Sequence, residues 1–215
     1  MDMTYENNSV LLCGHMADKP GFSHSSRGQD FLSFPLEIPR LSGNCDRLNI
    51  LVRPQQLESA GAEDGDKIFI TGQLRTFNNR KKEGAKLVIT VLAQEIELSD
   101  GEYQNSIRLH GTLCKKPNLR CTPMGREICD LMLAVNRRYG RSDYIPCICW
   151  GSRARAAADW DVGTKLDIEG RIQSRKYIKL IDSVAYEKTA YEVSVTEAVE
   201  VSADGEYYVN NVMYT

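Results

Sequence analysis

The sequence predicts an all-β protein built from two tandem copies of one small barrel domain. Three observations lead there: a long internal repeat, strand-length apolar runs broken by glycine and proline, and one helix-compatible stretch in each copy. Residues 8–54 and 105–151 align without a gap, Asn8 answering Asn105. Gly14 answers Gly111, Lys19-Pro20 answers Lys116-Pro117, and Gly28 answers Gly125. Arg40, Gly43 and Asp46 answer Arg137, Gly140 and Asp143. After one inserted residue, Gly65, Lys67, Ile70 and Gly72 answer Gly163, Lys165, Ile168 and Gly170. A unit of about 100 residues is too long for a solenoid repeat and suits a domain that buries its own core.

Each copy opens on a strand, Val10–Gly14 or Ile107–Gly111. A Lys-Pro pair ends it, because proline cannot donate to a sheet ladder. A polar turn with Gly28 or Gly125 follows. The second strand, Phe31–Ile38 or Ile128–Val135, alternates partially, as a strand with one buried face does. A basic, glycine-containing loop leads to the third strand, Arg47–Arg53 or Tyr144–Trp150. Only the next stretch, Gln55–Ala62 or Ser152–Trp160, has good helix propensity. The fourth strand, Ile68–Leu74 or Leu166–Ile172, contains Gly72 or Gly170, which predicts a bulge or a sharp bend. A hairpin, tipped in the first copy by Asn78–Gly84, returns as the last strand, Lys86–Glu97 or Tyr191–Val201. The short polar linker Ser99–Gln104 divides the chain into residues 1–100 and 101–215. The order β-β-β-α-β-β predicts two tandem OB-fold five-stranded barrels, each with a short helix between strands 3 and 4. A β-sandwich is the competing all-β arrangement.

Hydrophobic residues make up 42% and charged residues 26% of the chain, an ordinary globular balance. No apolar run approaches the roughly 20 residues that span a bilayer. Met1–Asn8 is polar and acidic, unlike a secretory signal, so a cytoplasmic location without membrane contact is expected. Seven cysteines without a CxxC pair suit a reducing compartment better than a disulfide framework or a zinc site. No metal and no cofactor is expected. No nucleophile–base–orienter set, Walker loop or GxGxxG string stands in the sequence, so no enzyme is expected either.

The net charge of −2 gives no global basic field. Residues 1–101 carry −3 and residues 102–215 carry +1, and the cations cluster. The clusters are Arg137-Arg138-Tyr139-Gly140-Arg141, Arg153 with Arg155, Arg171 with Arg175-Lys176, and Arg80-Lys81-Lys82. One such cluster reads as a solvated loop. Several at loop positions of a repeated β-domain read as phosphate contacts.

The second copy supports a stronger statement. Leu109-His110-Gly111-Thr112-Leu113-Cys114-Lys115-Lys116-Pro117 resembles the opening of bacterial single-stranded DNA-binding proteins. Gly125 followed by Leu133-Ala134-Val135-Asn136-Arg137 resembles the same family, as does Tyr144-Ile145-Pro146-Cys147-Ile148-Cys149-Trp150-Gly151. So does Gly163–Ile172 with Arg175-Lys176-Tyr177. The resemblance covers about residues 105–200 and reaches the first copy only through the repeat.

Binding a single strand needs aromatic faces for bases and cations along the phosphates. Trp150 ends a strand, Tyr144 lies six residues earlier on the same parity, and Tyr177 sits near the following hairpin. The resemblance implies that these three are base-stacking positions, and stacking is worth roughly 1–3 kcal/mol per base. The alternatives are a core tryptophan and a strand-face tyrosine. Arg137, Arg138 and Arg141 lie in the loop between strands 2 and 3, a long flexible arm in the family. Arg120 and Arg126 flank the earlier turn, and Arg153, Arg155, Arg175 and Lys176 complete the basic set. In the first copy Arg47 and Arg53 stand where the second has Tyr144 and Trp150, and Asn79 stands where it has Tyr177. The first copy is therefore either a backbone-binding domain, through Arg40, Arg47, Arg53, Arg75 and Arg80-Lys81-Lys82, or a dimerisation and protein-contact domain.

Many family members end in an acidic tail that recruits repair and replication enzymes. This chain ends Tyr207–Thr215, apolar and aromatic, so it reads as a divergent member whose last residues pack as an extra strand or in a subunit contact. Replication or repair partners are then expected by another route. The expected function is coating or wrapping single-stranded DNA in replication, recombination or repair, as a homodimer supplying four OB folds. The rival is an OB-fold interaction module of a primosome-like assembly, with nucleic acid incidental. Stacking does not sense the 2′-hydroxyl, so DNA and RNA both remain open at this point.

Overall fold

The computed structural model describes residues 7–79, 87–138, 140–181, 184–201, 207–209 and 212–213. The first copy contains β1 (Asn8–Met16), β2 (Gly21–Ser26), β3 (Gln29–Pro39), β4 (Cys45–Val52), α1 (Pro54–Ala60), β5 (Lys67–Asn78) and β6 (Leu87–Leu98). Strand β1 pairs antiparallel with β5, Leu12 opposite Ile70, and its end turns onto β3, Met16 opposite Leu36. Strand β3 pairs with β4, β4 runs parallel to β6, and β6 returns to β5. The circuit β1-β3-β4-β6-β5-β1 is closed, which removes free sheet edges and distinguishes a barrel from a sandwich. Leu12, Phe34, Leu36, Ile50, Ile70 and Leu74 fill its interior. A Cβ on Gly14 would lie 2.5 Å from the Glu37 carbonyl oxygen, so only glycine lets β1 turn onto β3. The β5–β6 register shifts between Thr71 and Gly72, the bulge that the glycine predicted.

The second copy repeats the circuit with β7 (Gln104–Leu113), β8 (Asn118–Cys121), β9 (Glu127–Asn136), β10 (Ser142–Trp150), α2 (Ser152–Ala158), β11 (Lys165–Ile181) and β12 (Val184–Val201). Strand β7 pairs with β11 and β9, β9 with β10, and β10 runs parallel to β12. Its core is lighter. Cys129, Cys147 and Cys149 are buried where the first copy has Leu32, Ile50 and Val52. Each short helix follows strand 3 of its barrel, as expected, α1 starting at Pro54 and ending at a left-handed Gly61, φ 62°.

Three features depart from the sequence reading. The polar turns after Lys-Pro are β-hairpin arms: β2 and β8 are strands with every residue exposed, so no alternation announces them. Strand β11 runs to Ile181 and β12 begins at Val184, well beyond the predicted ends. Contacts also do not follow the division at residue 100. One compact unit comprises residues 1–8, 107–171 and 192–215, and the other residues 9–106 and 172–191. The outer part of the β11–β12 hairpin is fastened to β4: the Ser174 amide donates to Asp46 Oδ1 (2.8 Å), and Arg40 Nη2 donates to the Ser174 carbonyl (3.0 Å). Asn105 and Ile172 exchange two further bonds of 2.7 and 2.9 Å. In the other unit the Asn7 amide side chain donates to the Asn136 carbonyl (2.6 Å). After β12, β13 (Tyr207–Val209) pairs with it as an extra strand, Val201 opposite Tyr207, and β14 (Val212–Met213) pairs with β13.

Candidate nucleic-acid interface

Strand β10 has two faces. Asp143, Ile145, Cys147 and Cys149 point into the barrel, while Tyr144 is 49% exposed and Trp150 half-buried on the outer face. Period-2 geometry sets both aromatics on that face, and six residues of strand separate them by about 20 Å. Ala134 lies opposite Tyr144, Met132 opposite Pro146 and Ile128 opposite Trp150, with Arg120 of β8 opposite Ile128. Between these pairs Asp130 stands opposite Ile148 with its carboxylate held by Arg120, so the outer surface is apolar at Ala134, Met132 and Pro146 and carries an aromatic group towards each end. Arg138 and Arg141 lie in the β9–β10 loop and Arg153 in the first turn of α2, all exposed. Among the described residues, none of these three makes a salt bridge. Cations without a local carboxylate are the ones a phosphate can recruit cheaply.

Other predicted contacts are already occupied. Arg137 forms a bidentate pair with the fully buried Asp143, its Nε donating at 2.7 Å, and is therefore a clasp between the ends of β9 and β10. Arg40 and Asp46 form the same clasp in the first copy, Nε to Oδ2 2.7 Å. Hydrogen bonding to Asp46 raises the Arg40 pKa further, so the guanidinium stays charged. Both pairs stood in the repeat as Arg and Asp six residues apart, a signal of shared structure that the phosphate reading passed over. Arg120 donates twice to Asp130 (2.5 and 3.0 Å).

Tyr177 is not grouped with the other two aromatics. It belongs to the compact unit of residues 9–106 and 172–191, half-buried, with the Arg175 guanidinium 5.8 Å from its ring centre. Lys176 beside it pairs with Glu187 (2.9 Å). In the first copy, Arg47 pairs with Asp18 and with Glu37, the latter at 2.6 Å. The Arg53 amide donates to Gln56 Oε1 (2.9 Å) at the start of α1, and Arg75 donates to Gln73. The basic tip Arg80-Lys81-Lys82 lies outside the described residues. Burial pushes the Cys147 and Cys149 thiols up, Cys149 to about 12, so both are neutral core side chains. Among the described residues no group of three or more potential ligands is placed to hold a metal, and no helix is long and apolar enough to cross a membrane.

Residues 104–201 match the single-strand binding protein family. A single-stranded DNA-binding protein of Clostridium tetani is 34% identical over 116 residues, covering 50% of this chain and 80% of that protein. The chain belongs to the single-strand binding protein family. The match to the family model lies in the second copy, the one with Tyr144 and Trp150 on its outer face. Single-stranded DNA-binding protein 2 of Listeria innocua is 38% identical over 80 residues, 34% of this chain and 50% of that protein. The chain thus spans four-fifths of one family relative and half of the other. The crystal structure of the single-stranded DNA binding protein from Thermus aquaticus superposes with a TM-score of 0.72 at 24% identity, covering 91% of this chain and 93% of that one. A deletion variant of the same protein gives 0.73 at 23% identity over 95% and 98%. Such identity speaks for the fold, and it does so across both barrels.

Proposed function

We propose that this protein binds single-stranded DNA, as a non-enzymatic coat in replication, recombination or repair. The observation that supports this most is the outer face of β10. It sets Tyr144 and Trp150 about 20 Å apart on one strand and has Arg138, Arg141 and Arg153, which among the described residues form no salt bridge, beyond its ends. Bases stack on the rings while phosphates recruit the arginines, a division that tolerates any sequence. Arg137 and Arg120 hold the platform in shape through Asp143 and Asp130, and their phosphate role is secondary. Tyr177 with Arg175 offers a further stacking position on the extended hairpin. The assembly we infer is a cytoplasmic homodimer, which supplies four barrels. Titrating oligo-dT against tryptophan fluorescence tests the reading, with Trp160→Phe so that Trp150 alone reports. Quenching that weakens as salt rises is expected. Unchanged fluorescence together with no salt-sensitive complex at low ionic strength would sink it. Light scattering with and without the oligomer checks the dimer.

A further inference from the structure

Arg53 stands in the first copy where Trp150 stands in the second, which suggests that the first barrel has no base platform. The sheet register shows that aromatic groups stand elsewhere in the same row. In the second copy one row across the outer face reads Arg120, Ile128, Trp150. In the first copy Leu32 pairs with Val52, so the next position sets Phe31 opposite Arg53. A shift between Phe22 and His24 brings His24 opposite Phe31. The matching row is His24, Phe31, Arg53. Its two rings are stacked, with centres 5.1 Å apart and planes within 11°. The aromatic groups have moved along the row by one and two strands.

We propose that His24 and Phe31 form a second nucleobase-stacking platform, so that the first barrel also takes bases of the bound strand. The pair is set up locally. Ser23 Oγ lies 3.1 Å from His24 Nδ1, and Ser25 bonds to Asp30 across the hairpin. Arg27 and Gly28 both have positive φ, 51° and 75°, the two-residue turn whose twist suits a β-hairpin. The strand bearing His24 is exposed along its whole length, so an aromatic ring there has no core to serve. The neighbouring groove carries Asp30, Glu95 and Glu97 beside Arg53. Those carboxylates repel phosphate, so the contact runs through base faces and the backbone passes elsewhere. In the second copy the equivalent hairpin arm has Arg120 and Cys121, and Trp150 supplies the ring.

This inference rests on the single-strand binding reading, and the experiment separates the two. Full-length wild type, Trp150→Ala, Phe31→Leu and His24→Ala are titrated with a labelled dT oligomer of about 35 nucleotides, long enough to engage several barrels at the ~4–16 nucleotides each takes. Thermal unfolding confirms that each variant is folded. Phe31→Leu keeps the apolar bulk and loses the ring face. It and His24→Ala are expected to weaken binding about 5-fold or more, as loss of one stacked base does, and Phe31→Trp to restore it. Photocrosslinking to 5-iododeoxyuridine oligomers is expected to label the peptide of residues 21–33 in the wild type. If wild type and Trp150→Ala behave as a stacking protein should, while Phe31→Leu and His24→Ala bind like wild type and residues 21–33 stay unlabelled, the second platform is wrong and the parent reading stands. If wild type itself fails to bind, both fall.

Discussion

At the end of its third barrel strand the second copy presents Trp150, and the first presents Arg53. The frames beneath these two residues are alike. Both barrels close through the same strand circuit, and both crowd a glycine, Gly14 or Gly111, against the neighbouring strand. Both fasten the ends of strands 2 and 3 with an arginine on a buried aspartate. The cores differ in bulk, with Cys147 and Cys149 for Ile50 and Val52, but the residues that change the binding chemistry face outward. A duplicated barrel can therefore keep its fold and revise its surface, because period-2 geometry separates the two sets of residues. The charges sharpen the contrast: the first copy's outward arginine Arg47 is held by two acids, while among the described residues no acid forms a salt bridge with Arg138, Arg141 or Arg153 of the second copy.

The largest effect should fall where the copies agree. Arg137→Ala and Arg40→Ala each remove the arginine that pairs with a buried carboxylate, and each is expected to cost about 3–5 kcal/mol in urea unfolding. A small cost in only one copy would break the equivalence of the two frames. Next comes the outward row. Trp150→Ala should weaken oligo-dT binding by about 1–3 kcal/mol, and Arg53→Ala by clearly less, since Arg53 supports the start of α1. Equal losses in a fluorescence polarisation titration would mean that the two positions do the same work. Arg138→Gln, Arg141→Gln and Arg153→Gln should each flatten the salt dependence of binding by about 0.7 in the log–log slope. Arg47→Gln and Arg120→Gln should move it less, because acids already hold those side chains. The smallest effect concerns the hairpin turns. Arg27→Asn should stabilise the protein by about 0.5–1 kcal/mol, as asparagine tolerates φ of 51° better than arginine. Thermal unfolding reads that gain, and a loss would show that the Arg27 side chain has another role.

Much of the frame was legible beforehand. The repeat, the glycine bulge at Gly72, the helices after strand 3 and the shared parity of Tyr144 and Trp150 all depend on local pattern. The arms β2 and β8 were hidden because a fully exposed strand has no alternation to read. The reach of β11 and β12 was hidden for a related reason, since its outer part packs outside the barrel that the pattern described. Arg137 was misplaced among the surface cations because a sequence does not say that Asp143 is buried.

The sequence alone determined the duplication, the barrel frame and that Tyr144 and Trp150 share one face of their strand, because strand periodicity, glycine and proline act over a few residues; the structure decided that this face is the outer one. The tertiary structure decided which arginines are spoken for, that residues 172–191 pack with the first copy, and that His24 and Phe31 share a row with Arg53. Those relations join residues far apart in the chain, and only closed sheets with a fixed register bring them together.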